Sequence, residues 1–245
     1  KFDNQFFIQQ IMKFKLATFI LFIAVNSFGQ APLWMRYPAI SPDGSQIAFN
    51  YKGDIYIVDT EGGKAQAITT PSAHDFMPTW SPDGKSIAFA SNRYGNYDIF
   101  IMPSIGGNAK RLTHHSSDDY PNSIDGAGHI YFSSSRLDSH LNSQFPSGVL
   151  SELYSINENG DLSQVLTTPA ENSVWNKDKT KLIYHDRVGY ENAWRKHHTS
   201  SVTRDIWLYD VKTKEHTQLT DFNGEDRNPV WSKNEQFFYY LSEES

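Results

Sequence analysis

Apolar and polar positions alternate in short runs, and the runs recur in one order. Ile55 and Ile57 face one way and Tyr56 and Val58 the other, the period-two pattern of a two-faced strand. The first unit predicts strands at Tyr37-Pro38-Ala39-Ile40-Ser41, Ile47-Ala48-Phe49, Asp54-Ile55-Tyr56-Ile57-Val58 and Ala67-Ile68-Thr69. Pro42-Asp43-Gly44 joins the first two, and Glu61-Gly62-Gly63 precedes the last. Pro-Asp-Gly combines a preset φ, a side-chain acceptor and a residue free to take positive φ, so it reverses the chain.

The second unit repeats this with Pro78-Thr79-Trp80-Ser81, Pro82-Asp83-Gly84, Ile87-Ala88-Phe89, Asp98-Ile99-Phe100-Ile101, Gly106-Gly107 and Arg111-Leu112-Thr113. The third has Ile130-Tyr131-Phe132, Glu152-Leu153-Tyr154 and Val165-Leu166-Thr167. The fourth has Val174-Trp175, Leu182-Ile183-Tyr184, Asp205-Ile206-Trp207 and Gln218-Leu219-Thr220. A fifth opens with Pro229-Val230-Trp231-Ser232 and Phe237-Phe238-Tyr239-Tyr240. Four short antiparallel strands, repeated, predict an all-β fold: a β-propeller of four-stranded blades. About four and a half blades of an expected six are present, so the chain is expected to continue past Ser245. Trp80, Trp175 and Trp231 recur at one blade position and are expected in the core.

Two units are lengthened at the same place. Leu137–Ser151 and Gly189–Thr203 extend the loop between the second and third strands of units three and four, so both are expected at one face. Loops of this length are uncommon in compact domains and are usually functional or disordered.

Composition narrows the partners. The chain has 245 residues, no Cys and a net charge of −6. Without clustered Lys and Arg on a positive background, nucleic acid is not an expected partner. Zero Cys excludes disulfides, thiolate ligands and a Cys nucleophile. No metal and no cofactor are expected: the adjacent pairs His114-His115 and His197-His198 point to opposite faces of an extended strand and chelate poorly.

The first residues read as targeting. Met12, Lys13 and Lys15, the apolar run Leu16–Val25 and then Ser27-Phe28-Gly29 have the order of a signal peptide. That run is about half the ~20 residues that span a bilayer. The expected division is residues 1–11 as a start-site artefact, 12–29 as signal peptide and 30–245 as partial propeller. The mature chain is expected to be periplasmic or secreted, with no membrane association after cleavage.

A basic residue ends the second strand or opens the next loop in each unit: Lys52, Arg93, Arg136 and Arg187. An acid opens each third strand: Asp54, Asp98, Glu152 and Asp205. Recurrence in every unit predicts a structural cross-strand pair between the two sets. Candidate substrate-binding residues are Arg195, Lys196, His197 and His198 in the fourth-unit insert, a cationic finger able to meet a peptide carboxylate. No Gly-x-Ser-x-Gly elbow is present, and no catalytic residue is assigned.

Trp80-Ser81-Pro82-Asp83-Gly84, Ile87-Ala88-Phe89, Asp98-Ile99-Phe100 and Arg111-Leu112-Thr113 resemble the repeat of TolB-type propellers. Tyr190-Glu191-Asn192-Ala193-Trp194-Arg195-Lys196-His197-His198, continuing through Asp205-Ile206-Trp207, is similar to the fourth blade of the tricorn protease six-bladed propeller. The resemblance implies the N-terminal propeller of a serine peptidase; the signal-like segment 12–29 departs from the family and makes an exported one the expectation. Such a propeller channels peptides to a C-terminal active site, and downstream domains of the same chain are further partners. Homo-oligomers are a further possibility. It also implies basic residues between blades two and three that hold a substrate carboxylate. Here that linker, Thr113–Tyr120, holds two acids and no Arg pair. The alternatives are a TolB-like interaction propeller without catalysis and the propeller of a prolyl-oligopeptidase-type enzyme.

Overall fold

A computed structural model describes residues 34–70, 73–136, 150–186 and 202–244. Most of both long inserts (residues 137–149 and 189–201), residues 1–33 and the candidate residues Arg195, Lys196, His197 and His198 lie outside them. Everything below concerns the unit Met35–Ser245.

The described residues hold strands and no helices. Blade one comprises β1 (Arg36–Ile40), β2 (Gln46–Tyr51), β3 (Asp54–Asp59) and β4 (Gln66–Ala67). Blade two has β5 (Asp75–Trp80), β6 (Ser86–Ser91), β7 (Asp98–Pro103) and β8 (Lys110–Arg111). Blade three has β9 (Asp119–Ile124), β10 (Ile130–Ser134), β11 (Glu152–Ile156) and β12 (Leu162–Leu166). Blade four has β13 (Glu171–Trp175), β14 (Lys181–His185), β15 (Ile206–Asp210) and β16 (His216–Gln218), and β17 (Asp226–Trp231) and β18 (Phe238–Ser242) begin a fifth. Each blade is an antiparallel sheet in simple sequence order. The first strands pack on one another from blade to blade, β1 on β5, β5 on β9, β9 on β13 and β13 on β17. The expected propeller is what forms.

The core lies between blades. Ala88, Ile99, Ile101 and Leu112 of blade two meet Ile130, Phe132, Tyr154 and Ile156 of blade three. Tyr131, Leu153, Leu166 and Ala170 meet Leu182 and Tyr184 in the next interface. Middle strands are therefore buried on both faces, which is why β6 and β7 are apolar almost throughout. The recurring Trp joins the blades. Trp80 donates its indole N–H to the Ala39 carbonyl at 2.9 Å, and Trp231 donates to the Val174 carbonyl at 3.1 Å.

Both ends of a blade follow from turn chemistry. At Pro-Asp-Gly, Ser41 Oγ and Ser81 Oγ each donate to the turn aspartate at 2.6 Å, and Gly44 and Gly84 take φ of +77° and +70°. These turns mark one end, and the loops between second and third strands mark the other, here termed the insert end. A bulge interrupts every first strand. In four of them a non-glycine residue adopts positive φ there: Tyr37, Met77, Asn172 and Asn228.

Candidate functional site

At the insert end the first strands bury their charge. β5 starts at Asp75 and β9 at Asp119, and both are fully buried. Asp75 is paired across the ladder with Ser91, and Asp119 with Ser134. Two residues past each serine comes an arginine. Arg93 donates from Nη2 to both Asp75 oxygens, at 3.1 and 2.9 Å, and from Nε to Ser91 Oγ at 2.9 Å. Arg136 repeats the arrangement, with Nη2 on Asp119 Oδ2 at 2.5 Å and Nε on Ser134 Oγ at 3.4 Å. Each guanidinium also covers two aromatic rings, Phe89 and Phe100 for Arg93, Phe132 and Tyr154 for Arg136. A carboxylate with no access to water requires such a charge-assisted partner, and the rings add a cation–π contribution.

These pairs differ from the expected ones. Arg93 and Arg136 do not reach Asp98 and Glu152, and Lys52 lies 5.3 Å over the Tyr51 ring. Arg187 is outside the described residues. The third-strand acids instead fasten the fourth strand. Thr69, Thr113 and Thr220 each donate through Oγ1 to Asp54, Asp98 and Asp205, at 3.2, 3.5 and 3.3 Å. The same oxygens accept the amides of Ile55, Ile99 and Ile206, each at 2.9 Å. Glu152 accepts from Tyr154 Oη at 2.6 Å and Gln164 Nε2 at 2.8 Å. The sequence reading missed Asp75 and Asp119. The available signal was an acid two or three residues before the first-strand proline, coupled to Ser-x-Arg one strand later.

Beside these clamps lies an aromatic floor. Phe76 contacts Tyr37, His74, Tyr97 and Tyr120, with ring centroids 5.3, 5.1, 4.8 and 5.8 Å away. His74 Nδ1 and Tyr97 Oη share a hydrogen bond of 2.8 Å. Tyr120 Oη donates to Asp118 Oδ2 at 3.1 Å, while Asp118 Oδ1 accepts the Tyr97 amide at 2.9 Å. Burial, and then the Asp118 charge, push the Tyr97 hydroxyl pKa up. Tyr37 is 43% exposed, so the floor opens to solvent. Rings with polar edges can hold an extended peptide by apolar contact and hydrogen bonding together. The two linker acids are thus both engaged, Asp118 by Tyr97 and Tyr120, and Asp119 by Arg136.

Blades four and five present carboxylates instead. Ala170 aligns with Asp75 and Asp119, so blade four has no acid at that position. Asp186 Oδ1 accepts the Asp205 amide at 2.9 Å. Burial first, and then the Asp186 charge, raise the Asp205 carboxyl to about 6, and burial raises Asp186 as well. Arg204 is held by Glu225 through both oxygens, at 3.1 and 3.0 Å. Among the described residues no group of three or more His, Asp and Glu side chains is arranged to hold a metal ion.

Comparison with known proteins places this architecture. A Tricorn protease homolog 1 of Streptomyces coelicolor is 36% identical over 87 residues, covering 36% of this chain and 8% of that protein. The uncharacterized peptidase YuxL of Bacillus subtilis is 26% identical over 210 residues, covering 80% of this chain and 27% of the relative. The crystal structure of the tricorn protease superposes with a TM-score of 0.71 at 18% identity, over 87% of this chain and 20% of that one, and shares the fold. The chain therefore spans only a small part of these three relatives. The sequence profile of the Tricorn protease N-terminal beta propeller domain matches residues 32–245, and the chain belongs to that family.

Proposed function

We propose that the chain is the N-terminal propeller of an exported serine peptidase of the tricorn type, and that it binds peptides and passes them to an active site elsewhere in the protein. The observation that carries this reading is the family match across residues 32–245, together with the peptidases among the relatives. The aromatic floor supports a role in holding peptides, because it lies at the end of the blades where the inserts enter and leave the sheets. Long loops of this kind are commonly functional, which suits contact with substrate or with downstream domains. The cationic finger Arg195, Lys196, His197 and His198 lies in one of these loops and suits a peptide C-terminus. Export rests on the order of Lys13, Lys15, Leu16–Val25 and Gly29, which places Gln30 at the mature N-terminus.

The test uses the full-length protein and residues 30–245 side by side. Full-length protein should hydrolyse peptides, and residues 30–245 alone should not. Arg195→Ala in the full-length protein should weaken binding of peptides with a free C-terminus more than of amidated ones. Equal losses on both would reduce the insert to a contact loop. A full-length protein without peptide hydrolysis would leave an interaction propeller of the TolB type. Fractionation of cells should find the protein outside the cytoplasm, beginning at Gln30.

A further inference from the structure

The aromatic floor carries a charge that its surroundings leave unbalanced. Tyr97 and Tyr120 stand against Phe76 with ring centroids 4.8 and 5.8 Å away, and they meet each other at 5.9 Å. Their hydroxyls lie toward one carboxylate, that of Asp118. Burial first, and then the Asp118 charge, push both hydroxyls up, with the Tyr37 hydroxyl as a lesser cause.

Asp118 is held but not neutralised. Its Oδ1 accepts the Tyr97 amide at 2.9 Å and its Oδ2 accepts Tyr120 Oη at 3.1 Å. Both donors are uncharged. Among the described residues no basic side chain forms an ion pair with Asp118, and the clamp arginines are already engaged, Arg93 with Asp75 and Arg136 with Asp119. Solvent reaches the place: His74 is exposed, and Tyr97, Asp118 and Tyr120 are half-buried. All of them come from blades two and three or the linkers that enter them. Each of these blades is a complete four-stranded sheet with a neighbouring blade packed on both sides.

The chemistry is that of a cation receptor. The faces of Phe and Tyr rings are the negative part of a quadrupole and attract cations. A half-buried carboxylate beside them adds a full charge where water screens it less. The same end of blade two already lays cations on rings, Arg93 over Phe100 at 4.6 Å and Arg111 over Tyr94 at 4.5 Å. A broad apolar floor with one charged edge fits a side chain with a long apolar stem and a charged tip. That tip is an ammonium rather than a guanidinium. Each Asp118 oxygen already accepts a bond, so the carboxylate does not present the open pair of oxygens that a guanidinium fork takes. A compact ammonium needs only one carboxylate oxygen and can turn its other donors to the phenol oxygens.

We propose that the aromatic floor selects a lysine side chain of a bound peptide, with the stem on the tyrosine rings and the ammonium at Asp118 and the tyrosine hydroxyls. This inference rests on the peptide-holding role proposed for the floor and names the residue that it takes. Its test reads binding rather than hydrolysis, so either reading can fail without the other.

The experiment is calorimetric titration of the full-length protein with Nα-acetyl-lysine amide, its norleucine and arginine counterparts, and glycine amide. Saturable binding of the lysine compound is expected. The norleucine compound keeps the stem without the charge and should bind about tenfold more weakly or worse. Glycine amide offers the ammonium of a peptide N-terminus without the stem, and it and the arginine compound should each be weaker by about threefold or more. Asp118→Asn should lose about tenfold in affinity for the lysine compound and leave that for the norleucine compound unchanged. The asparagine can keep both hydrogen bonds, its oxygen accepting the Tyr97 amide and its amide group donating to Tyr120 Oη. Asp178→Asn removes an equal charge from an exposed turn of blade four and should leave the affinity unchanged. The proposal is overturned if the wild type does not bind the lysine compound, if the norleucine compound or glycine amide binds as tightly, or if Asp118→Asn binds the lysine compound as the wild type does. The comparison of lysine with norleucine needs no variant, so the test survives even if Asp118→Asn fails to fold.

Discussion

Blades two and three bury an aspartate with its arginine, whereas blade four has Ala170 in place of the acid. Arg93 with Asp75 and Arg136 with Asp119 share one geometry, down to the supporting serine and the two rings. In blade four Ala170 occupies the acid position and is itself fully buried. The difference teaches that the pair is one unit. A half-pair in a water-free site costs more than its absence, because the surviving charge loses solvent and gains nothing.

The comparison can be broken from either side, and the largest effects come from making half-pairs. Arg136→Ala leaves Asp119 buried and alone, and should cost about 3–5 kcal/mol in a urea unfolding experiment. Ala170→Asp should cost a similar amount by installing the acid without its base. Replacing both partners at once, as in Asp119→Leu with Arg136→Met, should recover most of the loss. Arg93→Ala should cost less, because the Arg93 side chain is 23% exposed against 4% for Arg136, and water can reach the gap. Equal losses for the two arginines would sink the explanation by burial.

The threonine fasteners sharpen the same contrast on a smaller scale. Thr113→Val removes a donor to Asp98 and an acceptor for the Ile99 amide at a site 2% exposed. It should cost about 1–3 kcal/mol. Thr220→Val in blade four makes the same change at a half-buried site and should cost less. If the two values coincide, burial is not what grades these bonds.

The smallest effect is the pH dependence that Asp205 gives blade four. Asp205 titrates near 6 in the fold and near its ordinary 3.8 in the unfolded chain. The folded chain therefore keeps a proton between about pH 4 and 6 that the unfolded chain has released. This group's contribution to stability declines as pH rises through that window. Asp205→Asn should become more stable relative to the parent between pH 4 and pH 7, by about 1 kcal/mol once solvent screening is allowed for. Tm measured for both proteins across that range checks it. A constant difference from pH 4 to pH 7 would show that Asp205 is not held protonated.

The blade architecture was legible in the residues alone. Pro42-Asp43-Gly44 and Pro82-Asp83-Gly84 place the first turns, and the acid-aliphatic-aromatic runs place the third strands. The inserts fall between second and third strands, since β10 and β14 end just before them and β11 and β15 begin just after. These features are local. A turn needs its own residues, and a strand needs its own alternation.

Which acid meets which base was not local. Arg93 is five residues from Asp98 and eighteen from Asp75, and sequence distance favours the wrong partner. Side-chain direction decides it. Arg93 lies two residues past Ser91, on the same face, and the ladder sets Asp75 across from that serine. Asp98 instead shares Thr113 with its own strand's neighbour. The sequence alone therefore determined a chain of repeated four-stranded units with two loops enlarged at one end. The tertiary structure decided which charges those units bury together, because a buried charge is set by what stands across the ladder rather than by what stands beside it in the chain.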